Sequence, residues 1–319
     1  MQSFLDPAIL FFIFGLLAGA VRSNLEIPPA IARFLSLYLL MALGLKGGFA
    51  LAKSGLTAEV AMSLGCALLL AVAVPAVGYL MLKRLVSRFD AAAIAATYGS
   101  VSAVTFITAT QYLGNQGVAF GGHMAAAMAL MESPAIVMAV LLANLARQRE
   151  GSATAGGHGL KPVMHEALTD GAQLLLIGAM VVGLVSGDAG EAAMQPFTGD
   201  LFKGMLAFFL LDMGLQAARN FGTLRGRSPA LLAYALLGPL VHAGAALGLA
   251  ALCGLSVGNG ALLMVLAASA SYIAVPAVVR VAIPEASPSL YFGMSLGLTF
   301  PFNILLGIPL YVGVAQRVL

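Results

Sequence analysis

The sequence predicts an all-α polytopic membrane protein of ten transmembrane helices, arranged as 5+5 inverted repeats with one broken crossing helix in each. Three observations predict it. Hydrophobic residues make up 61% of the chain and charged residues 9%, against about 25% charged in soluble domains, and the mean hydropathy is +0.98. Apolar runs recur at the length that spans a ~30 Å hydrocarbon core, roughly 20 residues. Two of these runs are interrupted by small and hydroxyl residues at matching places in the two halves, the pattern of a transporter's binding site.

In chain order the spans fall near residues 7–22, 31–50, 58–82, 91–112, 119–146, 169–186, 201–218, 229–253, 259–282 and 289–315. The first ends in Ala18-Gly19-Ala20, as a secretory signal would, but Met1 to Asp6 holds an acid and no Lys or Arg. It therefore reads as a mature helix. Its Gly15-Leu16-Leu17-Ala18-Gly19 resembles Gly178-Ala179-Met180-Val181-Val182-Gly183 of the sixth span, and Met41-Ala42-Leu43-Gly44-Leu45-Lys46 of the second matches Leu211-Asp212-Met213-Gly214-Leu215-Gln216 of the seventh. Cys66 in the third and Cys253 at the end of the eighth lie in apolar helices, where thiols act as small hydrophobes. Neither a disulfide framework nor a Cys/His metal site is expected.

The fourth span is broken at Thr97-Tyr98-Gly99-Ser100-Val101-Ser102-Ala103-Val104-Thr105-Phe106, and the ninth at Ala268 to Pro276, where Ser269 and Ser271 stand in register with Ser100 and Ser102. Unwound backbone at membrane depth survives only where protein or water satisfies it, so both stretches are expected to line a polar cavity. The fifth span carries Glu132 beside Pro134, an ionisable group that costs ~3 kcal/mol or more in mid-membrane unless a site uses it. Cation coordination or proton coupling is its expected use. Asp212 in the seventh span, matched to Ala42, fits a helix contact or subunit role as well as a ligand role, and His242 of the eighth reads as a hydrogen-bonded structural histidine. Asn303 of the tenth sits in the repeat partner of the Glu132 segment and is a candidate to line the site.

Orientation follows from Lys and Arg, which short loops keep in the cytoplasm. Twelve of the sixteen basic residues fall on the side of the odd-numbered loops, leaving Lys46, Lys53, Lys203 and Arg317 opposite. Both termini are therefore expected outside and the hydrophilic linker 151–166 inside, between repeats 1–150 and 167–319. Five spans is an odd number, so the second repeat enters from the opposite side and the broken helices cross antiparallel. A duplicated bundle without transport is the other reading. No dense basic block exists, so nucleic acid is not an expected partner.

At the crossing, half-helix N-termini attract an anion, and freed carbonyls and hydroxyls coordinate a small cation. Gly99, Ser100, Ser102, Thr105, Ser269 and Ser271 are the candidate substrate residues, and Thr97, Ser102, Glu132, Ser269 and Asn303 the candidate Na+ ligands. Taken singly, each hydroxyl more often bonds back to its own helix; the cluster and its repetition carry the signal. No Lys or Arg lies in either crossing stretch. An anion there must be held by backbone dipoles and a co-bound cation, which favours Na+ as coupling ion with no cofactor.

Several motifs in order resemble the cyanobacterial sodium-dependent bicarbonate transporters of the SbtA type. They are Leu25-Glu26-Ile27-Pro28, Gly44-Leu45-Lys46-Gly47-Gly48, the Gly99–Ser102 step, Glu132-Ser133-Pro134, Gly238-Pro239-Leu240-Val241-His242, Ala267 to Ser271, and Pro309 to Gln316. The resemblance implies Na+-coupled bicarbonate uptake at a bacterial inner membrane, a homotrimer, and control by a PII-like cytoplasmic protein. It also implies a gate domain of spans 1, 2, 6 and 7 against which a core domain of spans 3–5 and 8–10 moves elevator-fashion. Glu132 stands where that family has an aspartate. The chain departs from the family's second crossing stretch at Tyr272, in place of an aspartate, at Ala274, in place of a serine, and at Val275, in place of a glycine.

A sodium/organic-anion symporter of bile-acid or monocarboxylate type is the rival reading, and pocket volume separates the two. An intramembrane enzyme would need a nucleophile with a base, or a metal dyad, and Glu132, Asp212 and His242 lie on separate spans. Topology is testable directly: a cysteine introduced at Gly156 should resist a membrane-impermeant thiol reagent added to intact cells. Labelling from outside would invert the orientation.

Overall fold

The computed structural model describes residues 6–55, 57–149, 171–224 and 226–319, all helix and connecting turns without a strand among them. The expected linker 151–166 lies outside the described residues. The helices are α1 Pro7–Ala20, α2 Pro29–Ser54, α3 Ala58–Leu82, α4 Arg88–Gly99, α5 Ala103–Asn115 and α6 His123–Arg149, followed by α7 Gly171–Gln195, α8 Phe202–Phe221, α9 Pro229–Leu252, α10 Val257–Ala268 and α11 Ala274–Ala282. The last, α12, runs over Pro288–Val318 with wide π turns at Gly293–Thr299 and Asn303–Gly307. Among the described residues, seven stretches are long and apolar enough to cross a membrane, two of them holding two of these helices each. The chain is a multi-pass α-helical membrane protein.

Local chemistry sets the boundaries. Asp6 accepts the Ala8 N–H at 2.8 Å to start α1 with Pro7 in its first turn, and Ser87 accepts the Asp90 N–H at 3.0 Å to start α4. Both caps satisfy donors that a helix end leaves orphaned. The expected breaks prove narrower than the sequence suggested, spanning Ser100–Ser102 and Ser269–Ile273. Breaks this short are enough when the freed groups find partners at once.

The densest helix contacts fall into two groups, which meet in one continuous buried core. In the first, α2 lies along α7 and α1 along α8, with glycines at the closest points. A Cβ on Gly44 would sit 2.4 Å from the Leu176 carbonyl, and one on Gly214 would sit 2.3 Å from the Phe12 carbonyl. Gly183 meets the Leu45 carbonyl as Gly19 meets that of Leu215. Small residues let membrane helices touch backbone to backbone, where packing replaces the absent hydrophobic drive. The matched contacts pair Gly19 with Gly183, and Gly15 with the place of Ala179.

The second group comprises α3 to α6 and α9 to α12. Every residue of α4 from Ala91 to Gly99 is buried, as is every residue of α10 from Gly258 to Ala268. Alanines dominate α4, which packs closely against α3 and α6. Two loops are pinned alike: Asp90 accepts the Ser287 N–H ahead of α12 and Asn259 accepts the Gly121 N–H ahead of α6, both at 2.7 Å. Pro239 has no N–H to give the Ala235 carbonyl four residues earlier. Thr299 Oγ1 supplies the donor at 2.7 Å, and Tyr98 donates to that hydroxyl in turn at 2.6 Å. Cys66 and Cys253, one from each half, come within 3.5 Å at their sulfurs, a contact that sequence reading did not foresee.

Gly48 tests the glycine packing, since its Cβ would fall 2.1 Å from the Met180 carbonyl, whereas a Cβ on Gly178 meets nothing within 4 Å. Thermal unfolding in detergent should show Gly48→Ala destabilised by about 1–3 kcal/mol, the range of overpacking, and Gly178→Ala unchanged within ~0.5 kcal/mol.

Candidate substrate and cation site

The two breaks lie against each other and share their hydrogen bonds. The Ser102 N–H donates to Ser269 Oγ at 3.0 Å, and Ser269 Oγ donates to the Leu266 carbonyl at 2.9 Å. In the other direction the Ser271 N–H donates to the Thr97 carbonyl at 2.8 Å. Ser102 and Ser271 then cap the half-helices that follow: Ser102 Oγ accepts from the Thr105 N–H at 3.2 Å and from Thr105 Oγ1 at 2.9 Å, and Ser271 Oγ accepts from the Val275 N–H at 3.3 Å. The positive ends of α5 and α11 are thereby fixed side by side.

Both ends face one cavity of about 70 Å³. Its wall on one side is Val101 to Val104, Met128, Glu132 and Ser271 to Ala274; on the other it is Ser36 and Leu40 of α2 with Ala172, Gln173 and Leu176 of α7. A buried water needs ~10–15 Å³ by this measure, so the space has room for a few water-sized groups. Glu132, half-buried, accepts from Gln173 Nε2 at 2.8 Å. Tyr272 and Ile273 form the partition between this cavity and an open vestibule of about 890 Å³, lined also by Arg33, Asp212, Gln216 and Asn220. A third cavity of about 320 Å³ lies toward the opposite ends of α2 and α5, with Lys46 seated 4.0 Å over the Phe202 ring.

A family model, the Na+-dependent bicarbonate transporter superfamily, matches residues 7–316. The chain belongs to the Na+-dependent bicarbonate transporter superfamily. It is accordingly a transporter and not an enzyme, with Na+ as coupling ion and no cofactor called for. No curated protein matches the chain. Among the described residues no group of three or more His, Cys, Asp or Glu could hold a metal.

For a superfamily member the expected site residues divide into those on the cavity and those behind it. Ser102, Glu132 and Ser271 line it. Thr97, Gly99, Ser100, Thr105, Ser269 and Asn303 do not. Thr97 Oγ1 bonds back to the Ala93 carbonyl at 2.8 Å, and Gly99 is a glycine because a Cβ would strike the Pro75 ring at 2.5 Å. Asn303 donates to the Ala268 carbonyl at 2.8 Å, the end of α10 left open by the break, and accepts from the Tyr311 hydroxyl at 2.9 Å. Asp212 lies in the vestibule with Gln216 donating to it at 2.7 Å, and His242 packs edge-on to the Tyr234 ring.

Gln173 and Ser36 were missed by sequence reasoning. Each is a single polar residue near the end of an apolar run, with no repeat partner to flag it.

Ser100 and Ser269 occupy matched places but are bonded differently. Ser269 Oγ makes two hydrogen bonds, while Ser100 Oγ is fully buried with none. Ser269→Ala leaves a buried N–H unpaired and should cost about 1–3 kcal/mol, whereas Ser100→Ala should be neutral or stabilising. Melting curves of the two variants showing equal losses would contradict this bonding pattern.

Proposed function

We propose that the chain couples inward movement of bicarbonate to Na+ across a bacterial inner membrane, carrying both in the 70 Å³ cavity. The observation that carries this reading is the convergence of two helix N-termini and the Glu132 carboxylate on one small space. Bicarbonate is held by the amide ends of α5 and α11, and Na+ by Glu132 with the hydroxyls of Ser102 and Ser271. Neither ion is neutralised by a basic side chain, so each stabilises the other. The cavity's size favours an inorganic anion over the organic acids of the rival symporter reading.

The ten-crossing, inverted-repeat topology is supported by the matched glycine contacts and the matched pinning of two loops by Asp90 and Asn259. Helices α1, α2, α7 and α8 form the gate, and α3 to α6 with α9 to α12 the core, which moves elevator-fashion past it. Support for this division comes from the three cavities, all of which lie along the seam between the two groups. The vestibule beside Arg33 is on the side rich in basic residues and is the larger of the two outer spaces, so the conformation is open inward with both termini outside. The outward face of α7, with Leu174, Ile177, Val181 and Val185 exposed, is the proposed contact in a homotrimer. Control by a PII-like protein rests on the resemblance alone.

Glu132 acts through its charge in this scheme. Glu132→Gln keeps the shape, so the variant should reach the membrane yet lose Na+-stimulated bicarbonate uptake by tenfold or more, the equivalent of ~1.4 kcal/mol. Proteoliposome uptake at saturating and limiting Na+ reads this out. Unchanged Na+ dependence in the variant would remove the residue from the cation site.

A further inference from the structure

The hydrogen bond from Gln173 to Glu132 joins the two groups of helices through the site itself. Gln173 lies in the first turn of α7 and is 6% exposed. Its Nε2 donates to Glu132 Oε2 at 2.8 Å and approaches the Ala129 carbonyl at 3.5 Å. Among the described residues, the bonds from Asn115 to Asp6 and from Thr223 to the Ser289 carbonyl also join the groups but lie away from the cavity. A hydrogen bond to a carboxylate is stronger than one between neutral groups. In a dry cavity a bound Na+ would draw on the same oxygen.

We propose that Gln173 is a positioning residue that couples cation loading to movement. With Glu132 free of Na+, the amide holds the core in the inward-open arrangement; Na+ at Glu132 competes for the carboxylate oxygen and weakens that hold. This rests on the gate-and-core reading above. Because the bond and the ion exclude one another in part, linkage requires each to weaken the other by the same factor. Removing the amide therefore shifts the empty protein away from the inward-open state and tightens apparent Na+ binding together.

The test follows outward opening by labelling. Thr110, buried in this conformation, lines the 320 Å³ cavity on the opposite side, so Thr110→Cys is introduced into the full-length chain with Cys66 and Cys253 replaced by serine. Maleimide reaction of the purified protein is timed in K+ and in Na+ at equal ionic strength. With Gln173 intact, labelling should be slow in K+ and faster in Na+. Gln173→Leu should speed the K+ rate about tenfold, and adding Glu132→Gln should bring no further change in K+, since the bond it would weaken is already gone.

An unchanged K+ rate in Gln173→Leu, or additive effects in the double variant, overturns the proposal. Should the leucine variant fail to fold, Gln173→Met keeps the length without the amide and is read the same way. Bicarbonate uptake driven by Na+, measured on vesicles of the protein with Gln173 intact, checks the transport reading separately. Absent uptake with intact labelling responses would sink that reading and not this one.

Discussion

A helix interrupted inside hydrocarbon leaves N–H and C=O groups that no water can satisfy, and in this protein each interruption is satisfied by the other. Ser102 donates its N–H to the Ser269 hydroxyl and Ser271 donates its N–H to the Thr97 carbonyl, while Asn303 closes the remaining end of α10 at the Ala268 carbonyl. Everything else at the site depends on this exchange. It allows breaks of three and five residues, keeps α4 and α10 sheathed in protein, and aims the starts of α5 and α11 into one cavity.

Two kinds of packing surround that crossing. Glycine contacts bind α1 to α8 and α2 to α7 so closely that a single methyl group would strike a carbonyl, which suits a stiff frame. Around the crossing, prolines and π turns are answered by side chains, as where Thr299 repairs the donor that Pro239 lacks at Ala235. The cavities lie where the two kinds of packing meet. Among the described residues a bond that crosses there at the cavity, from Gln173 to Glu132, depends on the charge of that carboxylate.

Much of the architecture was legible because hydrocarbon imposes simple rules. Apolar length marks the helices, and hydroxyl-rich interruptions marked both breaks to within a few residues. The match of Met41 to Lys46 with Leu211 to Gln216 aligns Gly44 with Gly214, and both make close backbone contacts. The division of labour among hydroxyls was not legible. Ser102 and Ser269 look alike in sequence, yet one faces the cavity and the other is spent on a backbone bridge, a distinction set by which strand of the crossing lies in front. Asn303 matched the Glu132 segment by position but serves as a cap, because its neighbour is an open helix end rather than the cavity. Gln173, the proximity of Cys66 to Cys253 and the Tyr98 link to Thr299 are contacts between distant segments that leave no periodic trace.

In the proposed site anion and Na+ share one cavity without a basic side chain and so depend on each other, and bicarbonate binding to the purified protein at varied Na+ measures that dependence directly. Bicarbonate affinity should rise as Na+ replaces K+ at constant ionic strength, and Na+ affinity should rise by the same factor when bicarbonate is present. Equal bicarbonate affinity in K+ and in Na+ would contradict a shared site.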